Sequence, residues 1–548
     1  MIHTKSAHVD TFAAQSLPPR EQWPAFVYNR PELQALPERI NIATHLLDRW
    51  VDEGQGARRA LLASGVRWTY AALHAKANRI AGVLTRQLGV VPGNRVLLRG
   101  FNGPMMAAAW LGVMKAGAIV VATMPQLRSG ELGYVLGKAH IALALCDERL
   151  RDDLEMARAD SPSLRRIAYF SSAAPDGLEA MMRSEADEFR SVDTAADDVC
   201  LIAFTSGTTG GPKGTMHSHR DLIASSLTYG AHVLRPAPDD LFCGSPPLAF
   251  TYGLGGLLVY PLFFGAATLL VEKPAPDLLL QAIAEHGATV LFTAPPAYRA
   301  MLALLEMYPV PTLRKCVSAG EALPLSTWTR WFEKTGIKIL DGIGSTEMFH
   351  IFLGSPEEAI RPGATGKAVP GYQGIILDDD GKELAAGEVG RLAVRGPTGC
   401  RYIADARQTT YVRNGWNMTG DAYHVDAEGY FWYHARTDDM IVASGYNISG
   451  PEVEEVLLAH ADVQECAVVA SPDRERETNI VKAYVVLADP AGASAIKVRE
   501  LQDFVKSRIA AYKAPRAIEF ATELPRTGTG KLQRFKLRQI EAERPGST

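Results

Sequence analysis

Residues 205–214 gather hydroxyls, glycines and one lysine in a single stretch: Thr205, Ser206, Gly207, Thr208, Thr209, Gly210, Gly211, Pro212, Lys213 and Gly214. Glycine accepts the backbone dihedrals that aim successive N–H groups at one oxyanion. The hydroxyls add neutral donors and Lys213 a mobile positive charge, so the stretch reads as a triphosphate-binding loop. It is not the Walker arrangement, in which Gly-Lys-Ser/Thr opens a helix, because Pro212 precedes the lysine and Gly214 follows it. A second group, Gly344, Ser345, Thr346 and Glu347, offers a hydroxyl beside a carboxylate. Triphosphate chemistry needs Mg2+, a hard cation that favours carboxylate oxygen and takes few protein ligands. Glu347 is therefore the metal candidate and Thr346 a phosphate donor, against the plainer reading of a helix start. Asp421 has the chemistry to accept both hydroxyls of a ribose, against the plainer reading of a turn aspartate. Lys531 ends the glycine–threonine loop 525–531, whose bland reading is a solvated charge.

These groups need elements to hold them. The apolar run 199–204 reads as a buried strand delivering the first loop. Similar short runs at 315–318 and 337–340 lead into Ala319, Gly320, Glu321 and into Asp341, Gly342, Ile343. Helical patterns lie between them, at 297–306 and 326–335, and a βαβ unit spans 95–122. Strands alternating with helices predict parallel sheets covered on both faces, with ligands outside the carboxyl ends of the strands. One ligand touched by all three strand ends explains the layout. After about 370 the pattern turns to alternating β. From 451 a compact α+β block of roughly 110 residues follows, large enough for a small domain.

At 548 residues the chain exceeds one core. Apolar residues make up 47% and charged residues 22%, the profile of a soluble globular protein. A net charge of −4 gives no basic footprint for nucleic acid and no polybasic membrane patch. Residues 241–271 carry no charge, but the stretch from Gly253 to Val271, which nearly has spanning length, is broken by four glycines and Pro261. A buried helix over 254–264 and a strand over 267–271 are expected there rather than a membrane span. Six scattered cysteines and an N-terminus without a signal-peptide pattern fit a cytoplasmic protein.

Taken in order, the 205–214 loop, Ser345-Thr346-Glu347, Thr419-Gly420-Asp421, Arg436-Thr437-Asp438-Asp439 and the 528–531 run resemble the motifs of the acyl-adenylate-forming superfamily. The resemblance covers nearly the whole chain. It implies an α/β fold: a large N-terminal domain of helix-covered sheets over 1–437, with a small β-barrel at about 365–437, and a mobile α+β lid over 438–548 hinged at Asp438. It implies ATP, Mg2+ and coenzyme A. A carboxylate attacks the α-phosphate, and a thiol then takes the acyl group from acyl-AMP. Alignment and charge neutralisation carry the first step. By resemblance Lys213 and the loop hold pyrophosphate, Thr346 and Glu347 act at the phosphates, Lys531 sits between the carboxylate and the α-phosphate, and the catalytic Arg436 reaches toward the ribose. Gly320, Glu321, Asp341 and Gly342 line the adenine site, and Asp421 binds the ribose. Rotation about Asp438 then presents the 444–447 loop, including Gly445, to pantetheine.

The acyl site is read from Phe250, Thr251, Tyr252 and Gly253, with Ile343, Gly344 and His350 opposite. Amino-acid-adenylating relatives carry an aspartate where Thr251 stands, and a buried ammonium without a partner is costly. Both segments resemble those of benzoate-type CoA ligases, and residues 10–24 resemble 2-aminobenzoate-CoA ligases. The expected substrate is a small aromatic carboxylic acid, best 2-aminobenzoate, with Thr251 reaching a ring substituent and His350 polarising the carboxylate. Benzoate or a medium-chain fatty acid is the alternative acid. A P-loop-type phosphotransferase and a non-catalytic ATP-binding protein are the readings from other classes. No membrane or nucleic-acid partner is expected, and the sequence leaves monomer or homodimer open.

Overall fold

Short β-rich runs buried on both faces need helices on both sides, and the chain supplies them in alternation. The computed structural model describes residues 5–205, 212–437, 439–443, 446–473, 478–527 and 530–544. A six-stranded sheet runs in the order Arg166–Phe170, Leu143–Asp147, Arg95–Arg99, Ile119–Thr123, Val199–Thr205 and Lys213–Ser218. Its strands are parallel except the last, which returns antiparallel to Val199–Thr205. Lys213 therefore opens a strand, not a helix, as the non-Walker order requires.

A nine-stranded sheet has a parallel centre: Arg59–Ala63, Ala267–Leu269, Leu241–Gly244, Val290–Thr293, Lys315–Ser318 and Ile339–Gly344. Inner-face residues of both sheets, among them Val96, Leu98 and Val120 of one and Phe242, Phe292 and Val317 of the other, share one continuous core. Each such side chain, fully buried, is worth about 1.5–3 kcal/mol. The helix Pro104–Lys115 threads this core with proline in its first turn, where no N–H is missed. Its Gly112 lies so close to the helix Tyr70–Gly82 that a Cβ there would meet Ile80 at 2.6 Å.

The strand expected over 337–340 spans Ile339–Gly344, so Asp341, Gly342, Ile343 and Gly344 belong to a strand rather than a loop. The cause is tertiary: Ile351–Gly354 folds back antiparallel against it, and the approach leaves no room for a Cβ at Gly344, which would lie 2.6 Å from the His350 carbonyl oxygen. The expected helix at 254–264 begins earlier, as Thr251–Leu254, Gly255–Val259 and Tyr260–Phe263 in succession. Among the described residues no helix is long and apolar enough to cross a membrane.

Beyond the large sheets, Gln373–Leu377, Gly390–Arg395, Trp416–Val425, Val412–Arg413 and Phe431–Arg436 form an antiparallel five-stranded sheet. The last block pairs Val463–Asp473, Thr478–Leu487 and Ala517–Phe520, covered by Gly450–Leu458, Ala495–Lys506 and Arg534–Glu543. It has its own apolar cores, one of them centred on Val468, Val485 and Leu501.

Candidate active site

The carboxyl ends of Val199–Thr205, Lys315–Ser318 and Ile339–Gly344 lie in two sheets, and specific contacts tie them together. His217, fully buried on the strand after the loop, stands 2.7 Å from the Thr346 carbonyl through Nε2. A carbonyl can only accept, so this nitrogen carries the proton and donates. The other ring nitrogen, Nδ1, faces the Asp221 carboxylate at 3.6 Å. Asp221 in turn pairs with the buried Arg401 and accepts the Ser218 N–H at 2.9 Å. Burial works against the Asp221 charge, but Arg401 and His217 more than offset it and hold the carboxyl below its ordinary range.

Glu347 is buried, and its Oε1 accepts the Tyr402 hydroxyl at 2.5 Å. The ring of Tyr402 also lies beneath Lys213, whose Nζ is 5.1 Å from the ring centroid. Ser345 shares a 3.2 Å hydrogen bond with the hydroxyl of Tyr411, whose ring meets Tyr402 edge-on. Thr205 is described at the end of its strand, with a buried hydroxyl that has no partner among the described residues. Ser206, Gly207, Thr208, Thr209 and Gly210 lie outside the described residues, as do Asp438 and Gly445.

Asp421 sits within the strand Trp416–Val425, not in a turn, and is buried. Burial raises its pKa, while Arg436, donating to Oδ1 at 3.0 Å, pulls the other way. Asp341 is the most perturbed carboxyl of the cleft: burial pushes it to about 8, and its Oδ1 has no hydrogen-bond partner among the described residues. Gly320 adopts φ +97°, a conformation that favours glycine, and a Cβ there would stand 3.8 Å from Lys531 Cε. Glu321, expected at adenine, spends one oxygen on the last block instead: it accepts the Leu532 N–H at 3.0 Å, with Arg526 at 3.8 Å. Lys531 thus reaches the backbone at Gly320, where the charges of Glu321, Arg436, Asp421 and Glu347 act on it. Although much of the residue is open to solvent, packing around its ammonium lowers its pKa, with Glu321 opposing and Arg436 reinforcing.

At the acyl site His350 lies in the turn before Ile351–Gly354, not on a helix face. Its ring is packed among Tyr229, Tyr252 and Tyr260, with centroids 4.7–5.6 Å away. Burial lowers its pKa to about 3, so the imidazole is neutral. Nε2 stands 3.3 Å from the Tyr252 carbonyl, and Nδ1 has no partner among the described residues. The Tyr252 hydroxyl is used within the fold, donating to the carbonyls of Thr293 and Val317. Thr251 is buried in the first turn of its helix beside Phe250, and Gly253 packs so tightly that a Cβ would stand 2.1 Å from the Pro247 carbonyl oxygen.

A family model described as "AMP-binding enzyme" matches residues 47–402, and one described as "AMP-binding enzyme C-terminal domain" matches 452–531. The chain belongs to the AMP-binding enzyme family. Among the curated relatives of this AMP-binding enzyme is the benzoate–CoA ligase of Thauera aromatica, 36% identical, with 93% of this chain and 98% of the relative covered. A solved structure of the anthranilate CoA ligase AuaEII in complex with anthranoyl-AMP superposes with a TM-score of 0.88 at 34% identity, covering 93% and 98% of the two chains. A benzoate CoA ligase from Burkholderia xenovorans LB400 gives 0.83 at 34% identity, covering 91% and 100%.

The residues of this AMP-binding enzyme fit the groups such chemistry needs. Glu347 has one oxygen held by Tyr402, and its carboxylate is the hard oxygen donor that a magnesium ion would take. The unpartnered Asp341 oxygen is a buried group that a polar base would satisfy. His217, Tyr402 and Tyr411 escaped the sequence reading. They are brought to the cleft by long-range pairing: His217 lies opposite Leu201 on the neighbouring strand, Thr215 bridges Tyr402, and Tyr411 meets Ser345.

Proposed function

We propose that the chain is an ATP-dependent aryl-CoA ligase whose preferred acid is 2-aminobenzoate. Its chemistry is that of an AMP-forming acid–thiol ligase using ATP, Mg2+ and coenzyme A. The observation that carries the aryl reading is the pair Gly255 and Gly256. A Cβ at the first would stand 2.4 Å from His350, and at the second 2.4 Å from Phe292. These glycines let two rings lie directly against the helix, and ring faces closing that side suit a flat, short acid better than an alkyl chain.

An aryl amine is uncharged at neutral pH, so it needs no carboxylate partner, and the Thr251 hydroxyl suffices as its acceptor. In the first half-reaction Lys531 screens the repulsion between the substrate carboxylate and the α-phosphate. Lys213 neutralises the departing pyrophosphate, Thr346 donates to phosphate, and Arg436 and Asp421 fix the ribose side. Bound at Glu347, Mg2+ supplies charge neutralisation of the phosphates. In the second, the last block turns about Asp438, withdrawing Lys531 and bringing residues 444–447 toward the thiol. The six free, buried cysteines of the chain support a reducing, cytoplasmic setting.

A panel of benzoate, 2-aminobenzoate and C6–C10 fatty acids, read by CoA-dependent pyrophosphate release, tests this. The highest kcat/KM is expected for 2-aminobenzoate, with AMP as co-product. Turnover of the fatty acids above the benzoates would sink the aryl assignment, and ADP in place of AMP would sink the ligase assignment.

A further inference from the structure

We propose that Tyr402 is the positioning residue that sets both the metal carboxylate and the phosphate lysine, presenting Glu347 to the cation and Lys213 to the leaving group from one ring. The inference rests on the reading of Glu347 as the metal ligand. Three observations meet at this side chain. Its hydroxyl donates to Glu347 Oε1 at 2.5 Å, fixing the orientation in which the carboxylate would meet the cation. Its face lies 5.1 Å from Lys213 Nζ, a cation–π contact that holds the ammonium without neutralising it. It is itself fully buried and immobilised: its N–H donates to Gln408 Oε1 at 2.9 Å, Thr215 bridges it, and Tyr411 packs on its edge.

A carboxylate in place of the hydroxyl bond would neutralise Lys213, and an aliphatic residue would leave Glu347 free to swing toward that lysine. A phenol avoids both, because its donor end takes the carboxylate and its π face takes the cation. The two charges that must act on the triphosphate are thereby kept apart and aimed, with His217 holding the Thr346 carbonyl from the other side. A hydrogen bond to a ligating carboxylate orients it, and losing such a partner typically costs about 10–100-fold in metal affinity.

The test uses full-length enzyme, α,β-methylene-ATP and Mn2+, with free Mn2+ read by electron paramagnetic resonance. Tyr402→Phe keeps the ring and the packing. It is expected to weaken Mn2+ binding about 10–100-fold, to leave metal-free nucleotide binding unchanged, and to spare thioester formation from preformed aryl-AMP. Tyr402→Leu, which also removes the π face, is expected to weaken metal-free nucleotide binding as well. Wild-type Mn2+ affinity in Tyr402→Phe would overturn the proposal, as would equal losses of metal, nucleotide and thioester formation, which mark a merely structural role. A separate arm isolates the underlying reading: if Glu347→Gln binds Mn2+ like the wild type, Glu347 is not the ligand.

Discussion

Lys531 is a single charge reaching a cleft built by residues more than 90 positions away, and its setting makes two predictions. Lys531→Ala should cost adenylation about 3–4 kcal/mol, the range for losing one well-placed donor at developing charge. Thioester formation from preformed aryl-AMP should be nearly unchanged. Aryl-dependent pyrophosphate exchange and single-turnover thioester assays separate the two, and equal losses would contradict the assigned rotation. The second concerns pH. Burial lowers the Lys531 pKa and Arg436 adds to this, while Glu321, Asp421 and Glu347 oppose. The protonated amine is the active form, so activity is retained below that lowered pKa and lost as pH rises through it. The alkaline limb of pyrophosphate exchange should fall at lower pH than an ordinary lysine dictates, and Glu321→Gln should move it lower still.

At the scale of elements, the helix beginning at Thr251 is the wall of the proposed acyl site, and its glycines set how near the rings of His350 and Phe292 come. Gly255→Ala would drive a methyl into His350. Overpacking of this kind costs about 1–3 kcal/mol, so the variant should raise KM for the aryl acid while leaving KM for ATP near wild type. A raised KM for ATP alone would place that wall elsewhere. The hairpin that carries Lys213 is pinned by the buried Arg401–Asp221 pair, with Trp23 and Phe26 stacked near the guanidinium. Removing one partner of a buried pair costs about 3–5 kcal/mol, the loss expected for Arg401→Leu in urea unfolding. Because the Asp221 pKa is depressed in the fold, its stabilisation is fully present above the unfolded carboxylate value of about 4. It is lost as pH falls through the still lower folded value. Acid unfolding of Arg401→Leu should therefore begin at higher pH than in the wild type.

For the whole molecule, the contacts between the last block and the cleft define the pose. The Leu532 N–H meets Glu321, and Arg526 bridges Glu465 of its own block at 2.9 Å while facing Glu321 at 3.8 Å. If thioester formation requires this interface to separate, Arg526→Ala should slow adenylation several-fold without slowing the second half-reaction. Equal slowing in stopped-flow measurements of the two steps would show that Arg526 serves stability alone.

The sequence by itself determined the chemistry of the nucleotide end. A loop of glycines and hydroxyls with one lysine, a Thr-Glu pair and a distant Gly-Lys loop are local signals, because phosphate and metal recognition depends on residue types within a few positions. The βαβ unit over 95–122 and the strand at 315–318 were equally legible, since their apolar patterns are complete within themselves. Other features needed the tertiary structure. Asp341 to Gly344 became a strand only because Ile351–Gly354 folded against it. His350 became a neutral, ring-packed group only because Gly255 and three tyrosines enclose it. Tyr402 joined Glu347 and Lys213 across 55 and 189 positions of chain, a separation at which no local pattern survives. Residue type announces which groups can meet a triphosphate; long-range burial decides which of them are held, aimed and kept apart.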